Sequence, residues 1–180
     1  MGTIFLSLSQ RGKLSLVAAG YGLVLLTAAG LVFARYMLYV THPADAAAAG
    51  GMYAGGDLIL EVMIGCMLLV PTFALALVIR NSENLYVGYA KVMLGLSLTA
   101  PLSLGWISIP AVGQSTMMLG WICMDRLFAS PLFLVGFVFS RLLARFDRAR
   151  RLTLYALLVE ILTLVLIVGL QFFSMNTHRG

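Results

Sequence analysis

The chain has 180 residues, 61% of them hydrophobic and 11% charged, with a mean hydropathy of +0.99. A soluble domain is roughly half apolar and about a quarter charged, and even a 150-residue fold leaves about a third of its chain surface in water. That balance excludes a water-soluble enzyme, a nucleic-acid-binding domain, a disordered chain and a disulfide-stapled secreted domain, and makes lipid the solvent. The formal charge of +5 does not change this, because the excess comes largely from one short run at 141–151.

In chain order, five segments carry the roughly 20 mostly apolar residues that a membrane-spanning helix needs: 14–39, 58–79, 87–107, 121–140 and 152–173. The expected fold is therefore an all-α, polytopic membrane bundle of five transmembrane helices in one domain over 1–180. The first segment follows Arg11 and Lys13 as a signal peptide would. Its apolar run is much longer than the about 7–15 residues of a signal h-region, so it reads as an anchor. Between the first two spans, 41–56 is rich in alanine and glycine, which predicts a short Ala-rich helix followed by a glycine hinge. Pro71, Pro101 and Pro131 each fall inside a span, so three helices are expected to kink. Pairs of small residues four apart, Ala18 with Gly22 and Gly30 with Ala34, predict close helix approach on the first span.

Basic residues set the orientation. One side holds Arg11, Lys13, Arg80 and the arginines of 141–151, and the other holds Arg179. The positive-inside rule places the N-terminus in the cytoplasm and the C-terminus outside, in a membrane of the bacterial inner (plasma) type. Tyr36, Tyr39, Trp106 and Trp121 mark the outer interface, the two tryptophans bracketing a turn at 108–116. Tyr86, Tyr89 and Tyr155 mark the inner one.

Within this frame the charges inside spans become the candidate functional residues, because lipid makes them costly. Glu160 lies deepest, about 12 Å from the inner boundary at ~1.5 Å rise per residue. It is read either as a proton- or ion-accepting carboxylate or as half of a buried pair with Lys91, the candidate nearest in depth. An outer polar cluster gathers Asp57, Glu61, Asp125, Arg126 and Arg35. Asp57 and Glu61 share a helix face at i and i+4, and Arg126 is free to reach Glu61. These residues form either a shallow cation site, with His42 and Asp45, or interfacial pairs between helices. Arg141, Arg145 and Arg148, spaced i, i+4 and i+7, read with Arg150 and Arg151 as an amphipathic continuation of the fourth helix that contacts anionic lipid headgroups.

No metal or cofactor is expected. Cys66 and Cys123 sit in apolar stretches without a C-x-x-C and read as buried, inert thiols. Neither histidine lies in a span to ligate haem, and no phosphate loop, nucleophile elbow or H-E-x-x-H occurs. The partners expected are the bilayer, its anionic headgroups and another membrane protein or a second copy, with no nucleic acid. The leading reading is a small non-catalytic membrane protein, an accessory or packing subunit. The rivals are an ion- or proton-coupled transporter or channel using the intramembrane carboxylates, and a membrane enzyme acting on a lipid or quinone. A cysteine placed within 41–56 should label from outside only, in a membrane-impermeant maleimide assay; labelling from the cytoplasm would reverse the orientation.

Overall fold

The computed structural model describes residues 9–48, 50–108 and 117–177. These form helices α1 (Gln10–Thr41), α2 (Pro43–Ala48), α3 (Gly50–Ile79), α4 (Glu83–Ser108), α5 (Met117–Phe128), α6 (Ser130–Leu143) and α7 (Asp147–Thr177), with no strand among the described residues. Four helices are long and apolar enough to cross a membrane: α1, α3 over Gly55–Ile79, α4, and α7 over Asp147–Leu170. Counting the bent pair α5–α6 as one broken span makes five. Each expected span lies on one of these helices or on the bent pair. The helices themselves run further, because capping turns need no apolar residues.

Local chemistry sets the ends. Ser9 caps α1, its hydroxyl accepting from the Gly12 N–H at 3.3 Å. Pro43 disfavours helical backbone at His42; the chain turns there with φ −128° and the His42 N–H closes on the Leu38 carbonyl at 3.0 Å. The short Ala-rich helix after it is α2. No glycine hinge follows, because Gly51, Gly55 and Gly56 lie inside α3. Pro71 and Pro101 sit within continuous helices, whereas Pro131 coincides with a break. Lacking an N–H, Pro131 cannot donate to the Leu127 carbonyl. The chain therefore restarts as α6, with proline in its first turn and a 49° bend relative to α5.

The chain divides into two compact units, 1–78 and 79–180. In the first, Tyr21 and Thr72 share a hydrogen bond of 2.8 Å between α1 and α3. A Cβ added at Gly20 would lie 3.6 Å from that of Pro71. Close approach on α1 is therefore at Gly20. Ala18 and Ala34 are exposed, and a Cβ at Gly22 or Gly30 would meet nothing. That corrects the expected pairs: hydropathy marks small residues but not the face they occupy.

In the second unit α4 lies along α7, with α6 also packed on α7 and α5 on α4. The buried positions of α7 are Ala149, Thr153, Ala156, Glu160 and Thr163, a seam spaced 4, 3, 4, 3. Facing it, α4 buries Tyr86, Ala90, Ser97, Ala100 and Ser103. Both seams are small or polar, while Leu158, Leu162 and Val165 of α7 point outward with 51–61% exposure. Such an inside-out distribution is the packing logic of a lipid solvent. Apolar tails give no hydrophobic drive between helices, so association relies on close van der Waals approach and interhelical hydrogen bonds.

Several expectations are corrected by this packing. Tyr86 and Tyr89, expected as interface markers, are core side chains and not exposed anchors. They are buried, with the Tyr86 hydroxyl donating to the Ser140 carbonyl at 2.5 Å and the Tyr89 hydroxyl 2.7 Å from Ser140 Oγ. Cys123 is buried but Cys66 is exposed, since an apolar stretch can face lipid as well as protein. The 141–151 run is not one helix either: α6 stops at Leu143, Ala144 is extended at ψ 117°, and Asp147 starts α7. Of the 108–116 turn, residues 109–116 lie outside the described residues. Ala156→Leu at the seam should cost about 1–3 kcal/mol through overpacking, measured by unfolding in mixed micelles. Leu158→Ala on the outer face should stay within about 0.5 kcal/mol.

Candidate functional site

The polar centre of the second unit is built from all four of its helices. Arg126 lies in the last turn of α5, immediately before the break at Ala129, and Glu160 lies on the α7 seam. Arg126 Nη1 is 3.0 Å from Glu160 Oε1 and Nη2 is 2.9 Å from Oε2, a two-pronged ion pair. The Glu160 side chain is completely buried and that of Arg126 is 12% exposed.

The remaining donors are also filled. Arg126 Nε donates to Thr99 Oγ1 at 2.7 Å, Nη1 to Ser130 Oγ at 3.3 Å, and Nη2 to the Leu96 carbonyl at 3.1 Å. A guanidinium carries five N–H donors, and five acceptors surround this one. One open face lies over the Phe133 ring, with Cζ 4.1 Å from its centroid, a cation–π contact. Ser130 and Phe133 reach the site because the break turns the start of α6 beneath the end of α5. The sequence reason is Pro131 again. Thr99, whose hydroxyl donates to the Leu96 carbonyl at 2.6 Å, links the ion pair to the turn preceding Pro101.

Such a pair is expensive to place out of water. The effective penalty is several kcal/mol per ion, offset only where geometry is good and the remaining polar atoms are bonded. Both conditions hold here. Lys91 is not the partner. It is exposed, one residue beyond the buried Ala90 and so rotated about 100° off the seam at 3.6 residues per turn. All five donors of Arg126, expected to reach Glu61, are filled by acceptors within 79–180. Asp125, its chain neighbour, points to the exposed side.

The first unit holds a smaller polar clasp. Arg35 Nε donates to Asp57 Oδ1 at 2.5 Å and the Tyr39 hydroxyl to Oδ2 at 2.6 Å, joining α1 to α3. Arg35 also stacks over Tyr39, 5.0 Å from the ring centroid, as i, i+4 neighbours on α1 can. Gly56 admits the guanidinium: a Cβ there would lie 3.2 Å from Arg35 Nη2. Arg35 and Asp57 pair with each other, Arg126 pairs elsewhere, and Glu61 and Asp125 are exposed. Both Asp57 oxygens are occupied, and His42 Nδ1 is bonded to Thr41 Oγ1 at 2.8 Å. Among the described residues no three His, Cys, Asp or Glu side chains are grouped to hold a metal ion.

The arginines at 141–151 follow the helix break. Arg141 Nη1 donates to the Arg150 carbonyl at 2.8 Å and Arg145 Nη1 to Asn81 Oδ1 at 3.0 Å, while Arg148, Arg150 and Arg151 are exposed. Neither charge nor hydropathy marks Thr99, Ser130 or Phe133 as site residues. Their one sequence signal is position, beside Pro101 or Pro131.

Comparison of the chain with protein-family models, with curated proteins and with solved structures finds no match. Thr99→Val and Ser130→Ala should each cost about 1–3 kcal/mol by orphaning a guanidinium N–H, read from unfolding in mixed micelles. Lys91→Gln should change stability by less than about 0.5 kcal/mol, and an equal loss at Lys91 would contradict this geometry.

Proposed function

We propose that the protein is a non-catalytic multi-pass membrane protein, an accessory or packing subunit, in which the Arg126–Glu160 pair fastens four helix segments together. One observation carries this reading: every donor of the arginine and both oxygens of the buried glutamate are engaged within the protein. A transported ion, a proton carrier or a substrate would need at least one of those positions. In place of a vacant site there is a closed knot joining α4, α5, α6 and α7.

The partner side of the proposal draws on α1. Among its described residues only Val17 is buried, while Leu23, Leu26 and Phe33 are 58–74% exposed. Such a helix suits packing in the bilayer against another membrane protein or a second copy. The basic residues support a cytoplasmic N-terminus, an external C-terminus and a bacterial inner (plasma) membrane.

A second reading, a small proton- or ion-coupled transporter, has one observation in its favour. The α5–α6 break lies beside the ion pair, and broken helices accompany transport sites. Two experiments separate the readings. Purification in mild detergent should recover a stoichiometric membrane-protein partner or a defined oligomer. Proteoliposomes should show no proton or monovalent cation flux that Glu160→Gln abolishes. A monomer that carries such a Glu160-dependent flux would establish the transporter and overturn the subunit.

A further inference from the structure

The break between α6 and α7 shapes an open cavity of about 220 Å³ lined by Arg141, Asp147, Arg150, Arg151 and Leu154. Three arginines and one aspartate give its wall a formal charge of +2. Its size is below the roughly 300–1,000 Å³ of pockets that enclose a whole small-molecule ligand, and suits a single headgroup. Arg141 is held in place by its 2.8 Å bond to the Arg150 carbonyl, which uses one of its donors and leaves the others for a ligand. Arginine forks match the paired oxygens of a phosphate.

The geometry points to this cavity as a binding site for the phosphate headgroup of an anionic phospholipid. The lipid, and not free phosphate, is indicated by what continues from the cavity. Leu154 is its apolar wall, and Leu158, Leu162 and Val165 follow on the same face of α7 at helical spacing. The last three are 51–61% exposed, an apolar track for an acyl chain leading away from the arginines. Arg145, engaged with Asn81, and the exposed Arg148 are not part of the wall, so the site is narrower than the run of basic residues. This inference needs only the membrane location and does not depend on the subunit role.

The test is native mass spectrometry of the full chain in mild detergent, titrated with phosphatidylglycerol or phosphatidylcholine. Phosphatidylglycerol should bind preferentially. Arg151→Gln and Arg141→Gln should each weaken it about fivefold, the effect of one arginine near a headgroup. Asp147→Asn should strengthen it by a similar factor. Arg148→Gln removes the same charge outside the cavity and should leave binding within about twofold. Arg151 is exposed, so its variant decides the matter if Arg141→Gln unfolds. Equal weakening by Arg148→Gln would show diffuse surface attraction and overturn the site. Displacement of the lipid by equimolar inorganic phosphate would show a free-phosphate site, and equal binding of both lipids would show no site for an anionic headgroup.

Discussion

The interaction on which the second unit depends is the pairing of Glu160 with Arg126. A carboxylate in the middle of an apolar helix is tolerable only if another helix answers it, and only an arginine can do so through two parallel bonds while bonding three further acceptors. Once that pair forms, much of the local architecture follows. The end of α5 must lie against α7. Thr99 and the Leu96 carbonyl must face the same point from α4, and the bend before Pro131 must bring Ser130 and Phe133 underneath. Replacing one member leaves an orphan in a medium that cannot solvate it.

Around this knot the packing is inverted relative to a soluble protein. The α4 and α7 seams hold alanine, serine, threonine and tyrosine, whose hydroxyls find carbonyls or other hydroxyls nearby, and the large aliphatic side chains face outward. The first unit uses the same device at smaller scale: Arg35, Asp57 and Tyr39 join α1 to α3 with opposite charge and a hydroxyl, with Gly56 admitting the arginine. In both units helices are joined by polar bonds at chosen points and by small residues elsewhere. The proposed headgroup site extends this pattern to the membrane surface, where the charge not used inside the protein meets the charge of the lipid.

The helical class and the spans were legible because continuous hydropathy is a property of the chain alone. Glu160 was legible as the anomalous charge for the same reason. Its partner was not: choosing between Lys91 and Arg126 requires the rotation of each helix about its axis, and lipid removes the usual clue. In water an apolar face points inward, but in a bilayer Leu158 and Cys66 can point outward as readily as Phe137 points inward. Hence Tyr86 and Tyr89 read as interfacial when they are core, and the small residues of α1 read as contacts when the seams that matter are on α4 and α7. The end of α6 at Leu143 was hidden as well, because the spacing of Arg141, Arg145 and Arg148 imitates one helical face across a chain reversal. Pro131 was the most informative local signal, marking the break that positions Ser130 and Phe133.

The central claim is that the Arg126–Glu160 pair is a structural fastening whose members are needed only together. A double-mutant cycle with Arg126→Leu, Glu160→Leu and the combined variant, unfolded reversibly in mixed micelles, tests it most directly. Each single variant should lose about 3–5 kcal/mol because it strands a buried charge, while the double variant should lose less than either. Additive losses in the double variant, or single variants as stable as the parent chain, would contradict the account.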